Sequence, residues 1–418
     1  MINTAPVLTI ESINNMEKIL VLNSGSTSVK FQLFKVENNN FEVITKGLVD
    51  RIGLDGSKII VKTDNEHDFT MESPIKDHKD AIKIVLDYLL GKHLKNTDEL
   101  SAVGHRMGHG GEYFDKSVVI DKDVMEKIYD TVPLIPLHGP AFVHGLEAVT
   151  ALLPNKLQVA TFDTAFHQSM PKEAYLYAIP LNLYTEHKIR RYGFHGTSHN
   201  YIAHKTEELL GYKGKIISCH LGGGGSLCAI DNGKSVDTTM GYTPSAGIIM
   251  STRSGDMDPY IPLHIMKTQN KTPDEVNTML NKQSGMFGLT GGHSDMRDII
   301  EQAEKGDEKC IFAIEAYVYS VVKTIGSYIA VLGGLDALVF TGGIGENGSI
   351  IRQKICERLQ YLGIELNVEA NNTRPAPLNI TTDNSKVKVF VIPANEELMI
   401  ATETYELLEE LSTEEVAV

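Results

Sequence analysis

The chain has 418 residues, with 39 Lys+Arg against 54 Asp+Glu, a formal net charge of −15 at pH 7, 42% apolar and 22% charged residues. This composition excludes a disordered or collagen-like chain, and at ~150 residues per domain the length predicts two or three domains with cores of their own. The acidic balance argues against a nucleic-acid or anionic-membrane partner but leaves room for a small anion at a local cationic site.

Residues 1–18 read as a polar N-terminal extension, and Met16 is a candidate initiator within it. No Lys or Arg precedes Lys18 and the apolar run Val7–Ile10 is short, so a secretory signal is not expected. Ile19–Leu22 predicts a buried strand and Phe31–Phe34 a second, joined by Asn23-Ser-Gly-Ser-Thr-Ser. Ile75, Ala81, Ile82, Val85, Leu86 and Leu89 recur at helical spacing and predict a helix over 76–90 that stops at Gly91. Ala102-Val103 leads into a glycine-rich loop, Gly104 to Glu112. Val159–Asp163 is a buried strand ending on an acid.

The opening pattern then returns. Lys215–His220 predicts a strand, Leu221–Ser226 a loop, Leu227–Ile230 the return strand and Asp231–Lys234 a tight turn. Strand, small-residue loop and strand thus occur at 19–34 and at 215–230, about half a chain apart, which predicts a duplicated α/β architecture of two lobes. Cys310–Leu332 is apolar but holds Glu315 and Lys323, both costly in lipid, and predicts a buried or interface helix rather than a membrane span. Ala337–Thr341 is a strand running into a glycine turn, Gly342–Asn347, and then a helix. Val389–Pro393 is the last strand, and Asn395–Glu397 starts the last helix. Cys219, Cys228, Cys310 and Cys356 form no C-x-x-C, which fits a reducing cytoplasm rather than a disulfide framework or zinc ribbon.

Loops of Gly, Ser and Thr turn backbone N–H groups into one concavity, an anion nest. Two related loops, with Lys30 after the first and a third glycine turn at 342–347, favour phosphate binding over three ordinary turns. None is a Walker A or a dinucleotide fingerprint, so the expected ligand is a nucleotide clamped between lobes. Arg106 and Arg253 stand in small-residue segments, where a guanidinium grips carboxylate or phosphoryl oxygens in a fork; a surface salt bridge is the competing role. His195 and His199 are four apart, but Gly196 and the lack of H-E-x-x-H argue against zinc; a histidine bonded near phosphate is the better reading. His138 lies between Pro136 and Pro140 in a rigid loop, where simple capping competes with function. Asp163, Glu396 and Asn23 are candidates for Mg²⁺, which takes one or two protein oxygens and several waters; helix capping competes for Glu396.

With these segments assembled, the sequence closely resembles the acetate kinase family from about residue 19 to 405. The resemblance rests on Leu22–Lys30, Gly104–Arg106 with His109–Glu112, Phe162–Gln168, Tyr192–His199, Thr252–Asp256, Phe340–Asn347 and Asn395–Glu397, in that order. It implies the duplicated actin/hexokinase/Hsp70-like (ribonuclease H-like) two-lobe α/β fold, with the active-site cleft between the lobes. One lobe is 19–164 plus 398–418. The other is 165–397, with the adenosine site and a homodimer interface. The implied activity is reversible Mg-ATP-dependent phosphorylation of acetate, with Mn²⁺ as an alternative ion.

Carried over by motif, Asn23 and Glu396 are implied Mg²⁺ residues and Arg106 the carboxylate-binding arginine. His195 and Arg253 would stabilise the transferring phosphoryl group, Asp163 would be the essential acid and His138 a supporting group. Lys30, His220, Leu221, Gly222, Gly223, Gly224, Asp295, Met296, Arg297, Gly343, Ile344, Gly345, Glu346 and Asn347 would hold ATP. Gly108, Leu137, Phe194 and Pro244 would form the acyl pocket. A carboxylate substrate is ionised at pH 7, its ordinary pKa being about 4, so the reaction needs positioning and charge neutralisation and no general base.

Three positions depart from the family. Gly223 and Gly139 stand where it usually has Asn, and Gly108 where acetate enzymes typically carry Val. Loss of a valine side chain would enlarge the acyl pocket towards propionate or a longer acid, unless Met107 or nearby backbone fills the gap. An actin-like nucleotide switch and a catalytically impaired relative are the other readings; Arg106, Arg253 and His195 argue against the switch.

Overall fold

The structure, a computed structural model, describes residues 16–62, 69–135, 139–375 and 378–416. The first sheet holds β1 (Glu17–Ser24), β2 (Ser28–Glu37), β3 (Asn40–Asp50), β4 (Lys58–Lys62), β5 (Phe69–Glu72), β6 (Ala102–Met107), β7 (Val118–Val119) and β8 (Leu157–Phe162), in the order β5-β4-β3-β2-β1-β6-β8-β7. The second holds β9 (Lys215–Leu221), β10 (Gly225–Asp231), β11 (Lys234–Thr238), β12 (Ala337–Thr341) and β13 (Lys388–Val391), in the order β11-β10-β9-β12-β13. The helices that bear on the site are α1 (His78–Lys92), α2 (Gly139–Leu152), α3 (Gly196–Leu210), α4 (Met296–Glu304), α5 (Glu308–Leu332), α6 (Gly342–Asn347), α7 (Ser349–Glu357) and α8 (Glu396–Val416).

The duplication is explicit in strand order. β3-β2-β1-β6-β8 and β11-β10-β9-β12-β13 each run as three antiparallel strands followed by two parallel ones. Even the irregularity repeats: the register slips in β2 at Leu33/Phe34 and in β10 at Ala229/Ile230. A bulge at one place in both copies bends and twists both hairpins alike. This is the duplicated actin/hexokinase-type α/β fold.

β1, β8, β9 and β12 are continuous apolar strands because both of their faces are covered. In β1, Leu20 and Leu22 share a core with Ala148 and Val149 of α2 and Ala81, Ile82 and Val85 of α1, while Ile19 and Val21 pack with Ile400 and Ala401 of α8. In β9, Ile217, Cys219 and Leu221 meet α5, while Ile216 meets Ile202 and Ala203 of α3. α8 comes close over β6 because position 104 is glycine: a Cβ there would lie 2.6 Å from Thr404 Oγ1.

Several expectations shift. α1 runs past Gly91 to Lys92, and the His93 N–H closes it on the Leu89 carbonyl at 2.7 Å. A helix glycine costs about 1 kcal/mol relative to alanine, less than the burial of the Ala81–Leu89 face provides. Gly104, His105 and Arg106 belong to β6, not to a loop, because β6 is pinned in parallel register between β1 and β8. The Gly342–Asn347 turn is itself helical. α5 buries Tyr317, Val318, Val321 and Ile325 and exposes Phe312 and Tyr319. Glu315 on α5 is paired with Lys354, at 2.7 Å, and with Arg358.

Candidate active site

β1, β6 and β8 are parallel, so their C-terminal ends open on the same edge of the first sheet. Ligands in such sheets bind outside the carboxyl ends of the strands. Asn23 lies near the end of β1, Arg106 near the end of β6, Asp163 directly after β8, and Glu396 begins α8. Arg106 grips Asp163 as a fork, Nη2 to Oδ2 at 2.6 Å and Nε to Oδ1 at 3.2 Å. Its Nη1 donates to Asn23 Oδ1 at 3.3 Å, and its Nε stands 3.9 Å from Glu396 Oε2. Thr197 Oγ1 donates to Asp163 Oδ1 at 3.2 Å. Burial works against the Arg106 charge, but Asp163 and Glu396 together raise its pKa. Burial is likewise the largest influence on the Asp163 carboxyl and pushes its pKa up, opposed by the Arg106 charge. A guanidinium forked onto both of its oxygens favours the Asp163 anion.

The second wall comes from the N-terminus of α3. His195 is left-handed at φ 56°, ψ 22°, and the next residue's N–H, that of Gly196, donates to the Asp163 carbonyl at 2.8 Å. A Cβ at 196 would lie 2.2 Å from that carbonyl oxygen, so only glycine allows this approach. Backbone held in the left-handed region costs of order 1–3 kcal/mol and persists where the surroundings over-determine it. Here they do. His195 Nδ1 bonds Ser226 Oγ at 2.9 Å, the same hydroxyl bonds His199 Nε2 at 2.8 Å, and His199 Nδ1 bonds Ser218 Oγ at 2.9 Å. The His195 ring stacks on His220 at 4.2 Å between centroids. Burial, then the neighbouring positive groups, hold the His195 imidazole well below its ordinary pKa, so it is neutral. His195 and His199 thus share the Ser226 hydroxyl.

Arg253 completes this wall, its Nη1 donating to the Pro244 carbonyl at 3.2 Å. A Cβ on Gly224 would stand 3.2 Å from that Nη1 and 3.7 Å from His195 Cε1, so the second glycine loop is fitted against both groups. Between the walls lies a cavity of about 340 Å³. Asn23, Lys30, Arg106, Asp163, His195 and Arg253 line its polar side. Gly108, Ile135, Phe142, Phe194 and Pro244 line its apolar side. Lys30, expected with the ATP residues, lines this smaller cavity instead. Leu137 and His138 lie outside the described residues.

A second cavity, about 990 Å³, opens on the other side of the Gly222–Gly224 loop. Gly222, Gly223, Asp295, Met296, Arg297, Gly343, Ile344 and Asn347 line it, with Ser251 and Arg374. Among the remaining expected ATP residues, His220 stacks on His195 and Leu221 is buried in the sheet core. Gly345 packs against Phe340, and Glu346 accepts the Ala394 N–H at 3.0 Å. The Arg297 guanidinium is turned back onto Asp295 at 2.6 Å.

The three departures resolve differently. At Gly223 a Cβ would meet only Ser251 Oγ, at 3.8 Å, so the position is open. At Gly139 a Cβ would lie 3.1 Å from the Val132 backbone, so glycine is fitted there. At Gly108 the space is filled, by the Phe142 ring rather than by Met107 or backbone, and an enlarged pocket is not what the geometry supports. Thr197, Ser226, Ile135 and Phe142 were not singled out as site residues in the sequence. Thr197 and Ser226 at least lie in segments that carry the resemblance or the second glycine loop; Ile135 and Phe142 carry no local signal.

Residues 18–402 match the acetokinase family. The chain is 48% identical over 399 residues to the acetate kinase of Dictyoglomus turgidum, covering 94% of this chain and 98% of that protein. The crystal structure of Porphyromonas gingivalis acetate kinase is similar with a TM-score of 0.89 at 40% identity, over 94% of this chain and 100% of that one. That of a propionate kinase from Francisella tularensis has a TM-score of 0.87 at 42% identity, over 94% and 100%. The matched span runs through both sheets, both glycine loops and the start of α8, which together build the two cavities, and the chain therefore belongs to the acetokinase family.

Proposed function

We propose that this chain is an acetate kinase, transferring a phosphoryl group reversibly between ATP and acetate to give acetyl phosphate and ADP. The observation that carries this reading is the two-sided cavity: two arginines and a histidine on one side and a short apolar wall on the other, in 340 Å³. That shape suits a carboxylate with a very short tail. The larger cavity beyond the Gly222–Gly224 loop has room for a nucleotide. The lobes are proposed as 19–164 with 398–418, and 165–397, the cleft lying between them.

The residues divide the work by charge. The acid arrives ionised, so no group need take its proton. Arg106, held in place by Asp163, turns its remaining donors to the carboxylate and fixes the attacking oxygen. Arg253 and neutral His195, its ring locked by Ser226 and His220, are donors for the transferring phosphoryl oxygens, where charge is spread during transfer. Asn23, Asp163 and Glu396 each place an oxygen beside Arg106, and amide and carboxylate oxygens are the donors that Mg²⁺ or Mn²⁺ would take, with retained waters. When bound, such an ion neutralises phosphate charge. Phe194 and Pro244, with residues 108 and 142, enclose the methyl group. Exposed Phe312 and Tyr319 on α5 support a homodimer, and four free cysteines fit the cytoplasm.

The test is acyl phosphate formation, trapped as hydroxamate, with Mg-ATP and acetate, propionate or butyrate. The expected result is the highest kcat/KM with acetate. No product from any acid would overturn the reading in favour of a nucleotide-driven switch.

A further inference from the structure

We propose that Phe142 on α2, coupled to Gly108 after β6, sets the length limit of the acid pocket. The inference rests on the kinase reading of this site. Gly108 is not among the glycines with positive φ, so its backbone does not require glycine. What requires it is the Phe142 ring. A Cβ at 108 would lie 2.6 Å from Phe142 Cε2, 3.0 Å from its Cζ and 3.4 Å from Ile135 Cδ1. Contacts under 3 Å force something to move, so a side chain at 108 and the ring at 142 compete for one volume.

The ring has little freedom to yield. It is 8% exposed and packs with Met107, Leu146 and Phe162 behind the pocket. α2 itself is pressed against the first glycine loop. One turn after Phe142, a Cβ at Gly145 would stand 2.3 Å from Ser24 Oγ, so glycine there lets the helix sit this close. Phe142 and Gly108 both line the cavity that holds Arg106. An acid gripped by Arg106 therefore meets the Phe142 ring, supplied from a different element than position 108.

The experiment compares wild type, F142L, F142A, G108V and the double variant G108V/F142A by hydroxamate formation with acetate, propionate and butyrate. Opening the wall in F142A is expected to raise the propionate-to-acetate ratio of kcat/KM by ~10–200-fold, the span one methylene in an apolar pocket commands. The gain appears in the KM for the longer acid, while the KM for ATP holds. F142L gives a smaller shift of the same sign and decides the question if F142A does not fold. G108V alone crowds the ring and lowers kcat/KM for every acid. In G108V/F142A the valine takes the vacated space, and the ratio returns towards acetate. Because the positions share one volume, the double variant departs from the product of the single effects.

A ratio unchanged in both F142L and F142A, or single effects that simply multiply, would overturn the proposal. The ratio is measured on one preparation at a time, so partial unfolding does not move it. If wild type itself makes no acyl hydroxamate, the kinase reading fails, which is a separate result.

Discussion

Arg106 is held by Asp163, Asn23 and Glu396 before any substrate arrives, and this explains why a fork and not merely a charge is needed there. One edge of the guanidinium is spent on Asp163, and donors remain for the acid proposed to bind there. Arg106→Ala is expected to lower kcat/KM for acetate by ~10²–10³-fold, the loss typical of removing a preorganised donor to a reacting oxygen. The same change leaves Asp163 a buried anion without its counterion, and stability falls by about 3 kcal/mol. Arg106→Lys keeps the charge but not the fork, and recovers stability better than turnover. Steady-state kinetics with a urea titration separates the two effects. An unchanged KM for acetate with an unchanged kcat would remove Arg106 from the site.

At the scale of elements, the larger cavity depends on a short helix that cannot stand alone. α6 has six residues, and its last carbonyls need partners. Arg352 on α7, 1% exposed, supplies them: its Nη1 donates to the Gly345 and Glu346 carbonyls at 2.8 and 2.7 Å. Its Nε and Nη2 donate to Asn371 Oδ1 and to the Asn371 carbonyl at 2.8 and 2.7 Å. Burial pushes the Arg352 pKa down to about 10, so it is still charged at neutral pH. Arg352→Met keeps the bulk and orphans the carbonyls. The expected outcome is a loss of about 3 kcal/mol in stability, with a rise of ~10-fold in the KM for ATP, equivalent to about 1.4 kcal/mol. The KM for acetate is expected to hold, since Arg352 supports the helix beside the larger cavity, the proposed nucleotide site. A lowered Tm with an unchanged KM for ATP would make Arg352 structural only.

For the molecule as a whole, buried imidazoles set the acid limit of stability. Burial pushes His105, His109 and His167 down to pKa values of about 4. The unfolded chain protonates them near 6.5, so between pH 6.5 and 4 it binds protons that the folded chain refuses. Stability therefore falls as pH falls through that window, by up to about 3 kcal/mol per histidine. Burial lowers His195, His199 and His220 as well, while Asp163, Asp237, Glu403 and Glu406, raised by burial, act in the opposite sense by keeping protons that the unfolded chain has released. The histidines outnumber them, and the urea midpoint is expected to drop from pH 7 to pH 5. His105→Gln should flatten part of that slope. A midpoint independent of pH over this range would show that these imidazoles are not held neutral.

What the sequence determined by itself is local or repeated. Apolar runs of four to six residues bounded by glycine loops marked β1, β8, β9 and β12, because burial on both faces of a sheet leaves a short-range trace. The repeated strand-loop-strand marked the duplication, and the residue types in those loops marked anion chemistry. Tertiary structure alone decided the contacts between distant segments. Arg106 and Asp163 are 57 residues apart in sequence, and the parallel register of β6 and β8 brings them together. Gly104 and Arg106 became strand rather than loop because two neighbouring strands supplied their hydrogen bonds. Lys30 lines the smaller cavity and not the larger one because β2 pairs with β1. The volume at Gly108 was unreadable for the same reason: the ring that fills it belongs to another element, and steric exclusion between elements leaves no period or motif in either one.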